Sequence, residues 1–142
     1  MHVLGNASNL AEDLTSAQED SKPAKSPMLE LANAMVRLYK DAFGRGPTKA
    51  RAMLAGQDIL VVVLEHSLTV AERNLVKMGQ HDRLREARQF FQHALESEFR
   101  AVVEEVLGRR TLAFVSGIDT HRDVSVELFT LEPQPGGAAE GA

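Results

Sequence analysis

The stretch Gly56-Gln57-Asp58-Ile59-Leu60-Val61-Val62-Val63-Leu64-Glu65 decides the fold. Six consecutive β-branched or leucine residues follow a Gly-Gln turn, and such a run reads as a strand buried on both faces. Just upstream, Ala50, Ala52 and Leu54 alternate with Lys49, Arg51 and Met53. That alternation predicts a second strand, over 49–54, with one polar edge or face. Further back, Ser26-Pro27 supplies a capping hydroxyl and a proline suited to the first helical position. Leu31, Met35, Leu38 and Ala42 then recur at spacings of four, three and four, one apolar stripe along a helix that Gly44 ends.

Downstream, Thr69-Val70-Ala71-Glu72 is a capping box, opening a short helix that stops at Gly79. From Asp82, the residues Leu84, Ala87, Phe91, Leu95, Phe99, Val102 and Val106 keep helical spacing up to Gly108. A continuous helix over 82–107 would run ~39 Å at ~1.5 Å per residue. A compact domain of about 100 residues is only ~33 Å across. Such a helix either breaks, near Ser97, or projects against a second chain. Strands at 111–115 and 124–131 follow, separated by the polar turn Gly117-Ile118-Asp119-Thr120-His121-Arg122. The order is α-β-β-α-α-β-β. It implies an α+β domain with a four-stranded, mostly antiparallel sheet and helices packed on it. Gly44 to Asp58 and Gly108 to Asp123 each span helix end, strand, turn and strand, which reads as an internal αββ repeat or as the common geometry of any such unit.

The chain has 142 residues, sixteen Lys plus Arg, twenty Asp plus Glu and no cysteine. Disulfides, thiolate metal sites and a cysteine nucleophile are thereby excluded. Residues 1–25 and 133–142 have too few spaced apolar positions to dock, so both are expected to be disordered tails around a single domain at 26–132. Within 29–132 the charges nearly cancel, fourteen basic against fifteen acidic. With few aromatics as well, nucleic acid is not an expected partner. No apolar run reaches the roughly 18 residues that span a bilayer. Residues 1–10 lack the pattern of a secretory signal, so a cytoplasmic location is expected.

The densest chemistry lies in Gly44-Arg45-Gly46-Pro47-Thr48-Lys49-Ala50-Arg51. Arg45, Thr48, Lys49 and Arg51 suit a small anion or a nucleotide phosphate, because glycines admit backbone N–H groups and the cations supply charge. The spacing is not that of a P-loop. The same residues also suit a plain helix C-cap, with cations at the negative end of the dipole and a solvated strand edge beyond. Asp119-Thr120-His121-Arg122-Asp123 reads as a polar turn rather than a metal site. Glu104, Glu105, Arg83, Arg85 and Arg88 read as solvated helix faces. No catalytic motif, metal set or cofactor fingerprint is present, so a non-enzymatic role without a cofactor is expected. Within the strand at 59–64, Ile59, Val61 and Val63 face one side and Leu60, Val62 and Leu64 the other. One helix layer covers one set. Leu60, Val62 and Leu64 are accordingly assigned to the interface of a two-fold homodimer.

The blocks Asn33-Ala34-Met35-Val36-Arg37-Leu38-Tyr39-Lys40, Gly44-Arg45-Gly46-Pro47-Thr48-Lys49-Ala50-Arg51 and Val61-Val62-Val63-Leu64-Glu65 carry a resemblance. So do Leu68-Thr69, Ala71-Glu72, Gly108-Arg109 and the closing run from Val126 to Pro133. Over about 29–133 the sequence resembles the MpsC-like family of bacterial proteins. That family is the proposed soluble component of a sodium-translocating, membrane-potential-generating system. The resemblance implies a small cytosolic accessory or regulatory protein beside membrane ion or bicarbonate transport, with a membrane transport protein as partner. It implies no catalytic or ligand residues.

Overall fold

A computed structural model describes residues 26–134. The tails expected at 1–25 and 133–142 lie outside these residues, except Pro133 and Gln134. Helix α1 (Pro27–Phe43) is capped by the Ser26 hydroxyl, which accepts from Leu29 N, and ends at Gly44 with φ 78°. Strands β1 (Lys49–Leu54) and β2 (Ile59–Glu65) form a hairpin. Helix α2 (Val70–Lys77) starts on the Thr69–Glu72 capping box. Helices α3 (His81–Ala94) and α4 (Glu96–Leu107) lead to the hairpin of β3 (Thr111–Asp119) and β4 (Val124–Leu131). All neighbours in the sheet are antiparallel, in the order β1-β2-β4-β3. Each αββ unit supplies one half of the sheet. Any two such hairpins can pair in this way, so the arrangement leaves duplication unconfirmed.

The long helix breaks at Leu95, two residues before Ser97. The stripe expected through Ala87 and Phe91 is not the buried one. The buried side of α3 is Leu84, Arg88 and Gln92, whereas Phe91 is half exposed. Strand β3 continues through Gly117, Ile118 and Asp119, beyond the end expected at 115. The turn after it is held by Asp119, whose Oδ1 accepts from the backbone of His121 and Arg122.

Helices α1 and α4 cover one face of the sheet. Leu31, Met35 and Tyr39 from α1 and Phe99 and Val103 from α4 pack on Leu60, Val62, Leu64, Phe129 and Leu131. This corrects the interface assignment. Leu60, Val62 and Leu64 have no exposed surface and lie beneath the helices, so they hold this chain together and are not available to a second one. It also corrects the reading of β2 as buried on both faces. The odd-numbered set looks outward, with Ile59 at 38% exposure, Met53 opposite Val61 at 42% and Val115 at 60%. Register places Met53, Val61, Leu128 and Val115 in one row across this open face and Arg51, Val63, Val126 and Gly117 in the next.

Candidate functional site

The Gly44–Arg51 block is built into the fold. Gly44 adopts the left-handed turn that closes α1, and Pro47 is buried. A Cβ on Gly46 would sit 3.2 Å from Val36 Cγ1 and 3.2 Å from the Val36 carbonyl. Only glycine lets the chain pass so close to α1. The four candidate anion ligands do not converge. Thr48 is exposed and its hydroxyl pairs with His66 Nδ1 at 2.8 Å. Lys49 Nζ lies 3.8 Å from Glu65 Oε2 on the open sheet face. Arg51 follows two residues along the same exposed strand, and Arg45 sits half-buried in the preceding loop.

A tighter cluster lies inside, between α3 and the sheet. Glu127 on β4 points inward and has no exposed surface. The Tyr39 hydroxyl, from α1, donates to its Oε1. Gln92 Nε2, from α3, donates to Glu127 Oε1 at 3.2 Å and to the Tyr39 oxygen at 3.3 Å. One turn earlier on α3, Arg88 is equally buried. Its Nε donates to Glu72 Oε2 at 2.6 Å and its Nη2 to Glu72 Oε1 at 2.8 Å, the bidentate pairing that suits a guanidinium. The same Nη2 reaches the Ser67 carbonyl at 2.8 Å, and the guanidinium lies 4.2 Å from the centre of the Phe43 ring. The structure thereby corrects the reading of Arg88 as part of a solvated face.

The two acids of this cluster are driven in opposite directions. Burial pushes the Glu127 carboxyl up to about 7, against the opposing influence of Ser116, Tyr39, Arg88 and Gln92. Ser116 stands opposite Glu127 in the β3–β4 register and favours its charged form without closing a full hydrogen bond. Burial also acts on Glu72, but hydrogen bonds from Arg88, the Thr69 backbone and the Arg88 charge outweigh it, so Glu72 lies below its usual range. Burial, then the Glu127 charge, raises the Tyr39 hydroxyl well above the usual tyrosine value. The arrangement can hold or release one proton at Glu127 near neutral pH while the Arg88–Glu72 pair stays charged.

Sequence reading missed this cluster. Glu127 carries a usable signal, an acid on the inward phase of Ser125, Phe129 and Leu131. Arg88 and Gln92 carry one too: with Leu84, Leu95 and Phe99 they keep helical spacing on one face, a polar pair within an apolar stripe.

Fold and cluster together define a small α+β domain whose ionisable centre is internal and whose open surface is a sheet face. A family model described as Na+-translocating membrane potential-generating system (MpsC) matches residues 25–133. The chain belongs to this MpsC family. No curated protein and no solved structure matches it. Among the described residues no helix is long and apolar enough to cross a membrane.

Proposed function

We propose that this chain is a non-enzymatic accessory or regulatory component of a Na+-translocating, membrane-potential-generating system, working on the cytoplasmic side as a homodimer. The observation that carries this reading is the uncovered sheet face, an aliphatic surface of Val61, Val63, Val126 and Leu128 where the outer face of a two-layer domain meets water. Family membership supplies the membrane system, and a chain without a described spanning helix acts on such a system by contact. The sealed cluster favours a non-enzymatic role, since Glu127 and Arg88 present no surface to a substrate.

A second copy suits the open face. Lys49, Glu65, Val124 and Asp119 form its end row, with the cation on one edge strand and an acid on the other. A two-fold axis parallel to the strands sets Lys49 of one chain over Asp119 of the next. Four strands at ~4.8 Å and seven residues at ~3.3 Å give a face of about 19 by 23 Å. That is below the ~800 Å² per partner of a standard interface, so association in the micromolar range is expected.

Deleting the chain from a cell that carries it should lower the membrane potential read by a voltage-sensitive dye. Wild type should restore it, and Val63→Glu, on the open face, should not. Full restoration by a Val63→Glu protein that is monomeric in light scattering would remove the dimer from the mechanism. An unchanged potential after deletion would remove the accessory role.

A further inference from the structure

On the far side of the molecule from the open sheet face, α1 and α4 lie side by side and frame a groove of about 970 Å³. Its floor is apolar and regular. Ala34, Leu38 and Ala42 recur every four residues on α1, and Leu95, Val102 and Val106 supply the opposite wall. Its rims are acidic. Glu30 and Asp41 flank the α1 row, Glu98 and Glu105 flank the α4 row, and among the described residues Arg37 is the one cation lining it. Among the described residues, none of the four carboxylates lies within ion-pair distance of a basic side chain. This is a concentration of negative charge in a domain whose charges otherwise nearly cancel.

Two adjacent helical rows, apolar at the centre and charged at the flanks, are the kind of surface on which a third helix packs. We propose that this groove docks a cationic amphipathic helix of a partner protein, with its apolar stripe on the alanine and valine floor and its Lys or Arg flanks against the four carboxylates. The charge sets the choice of occupant. Residues 1–25 of this chain carry four acids against two bases, so the acidic rims repel them. An anionic lipid surface is repelled in the same way. The chemistry matches segments beside membrane spans, which are rich in Lys and Arg on one side of the bilayer. That the partner belongs to the membrane system rests on the function proposed above; the helix-in-groove contact does not.

The test is direct binding of a synthetic helix of about 18 residues, matched to the ~26 Å length of α1. The probe carries Leu at its a and d positions and Lys at e and g, with a fluorescent label, and the full chain is titrated against it by anisotropy. Binding should weaken by about fivefold or more between 50 and 300 mM salt, because exposed charge pairs are screened. The same peptide with Glu in place of Lys should not bind. The double change Glu98→Lys, Glu105→Lys should weaken binding at least about tenfold while leaving the melting temperature within a few degrees, both residues being surface acids. Equal binding of the Lys and Glu peptides, no binding of either, or an unaltered affinity in the double variant each overturns the proposal. A loss of dimer mass in the double variant does so too, since the groove would then hold a second copy. If the peptide fails while Val63→Glu still abolishes rescue of the membrane potential, the groove falls and the accessory role stands.

Discussion

Replacing Glu127 with Gln should make the protein more stable at pH 8 and remove a fall in stability that the wild type shows between mildly acidic and neutral pH. Unfolded, Glu127 releases its proton near the ordinary 4.5; folded, burial holds it up to about 7. Between those values the folded chain binds more protons than the unfolded one, so stability decreases as pH rises. The contribution is complete below about 4.5 and gone above about 7. The gap between the two values, at ~1.36 kcal/mol per pH unit, corresponds to about 3 kcal/mol. That is a large share of the roughly 5–15 kcal/mol typical of a domain. Glu72 acts with the opposite sign: its lowered pKa gives stability present above its ordinary value and lost as pH falls through the folded one. The two together place the optimum at mildly acidic pH.

The amide introduced by Glu127→Gln would keep an oxygen for the Tyr39 hydroxyl and carry no charge to desolvate. Thermal unfolding followed by circular dichroism from pH 5 to pH 8 is the assay. At several degrees per kcal/mol for a domain of this size, the wild-type midpoint should drop by roughly 10 °C across that range. The variant should be nearly flat, close to wild type at pH 5 and above it at pH 8. A wild-type midpoint that stays level or rises from pH 5 to pH 8 refutes the assignment. An equal slope in both proteins refutes it as well, since Glu127 would then not be its source.

Arg88→Met should cost about 3 kcal/mol in urea unfolding, because it strands Glu72 without its bidentate partner. Adding Glu72→Leu should recover part of that loss. Val62→Ala should cost about 2 kcal/mol and Val63→Ala under about 1, since only Val62 lies beneath the helices; the reverse order would put the core on the other face. Gly46→Ala should lower stability by about 1–3 kcal/mol, as its methyl meets Val36. Arg45→Ala and Lys49→Ala should stay within about 0.5 kcal/mol, and a larger loss in either would give the cations a structural part that the geometry lacks.

Most of the architecture was legible because each element carries its own local signal. The Ser26 cap, the Thr69–Glu72 box and the αL glycines at 44 and 108 are all where backbone chemistry requires them. Which face of β2 the helices cover was not legible, since Ile59, Val61 and Val63 are as apolar as Leu60, Val62 and Leu64. That choice depends on the inward phase of β4, where Phe129 and Leu131 join the core. The basic block misled for a related reason: a glycine that permits close approach of a ligand and one that permits close approach of a helix look the same in sequence, and only Val36, ten residues away, tells them apart. The sealed cluster was the hardest to see. Tyr39, Arg88 and Glu127 come from three elements that only the fold brings together. Arg88 and Gln92 follow Leu84 and precede Leu95 and Phe99 at spacings of four, four, three and four, so two polar residues interrupt one otherwise apolar helical face. Across the sheet-facing side of that helix, the Arg88 guanidinium favours the charged form of Glu127 and so tempers the effect of its burial.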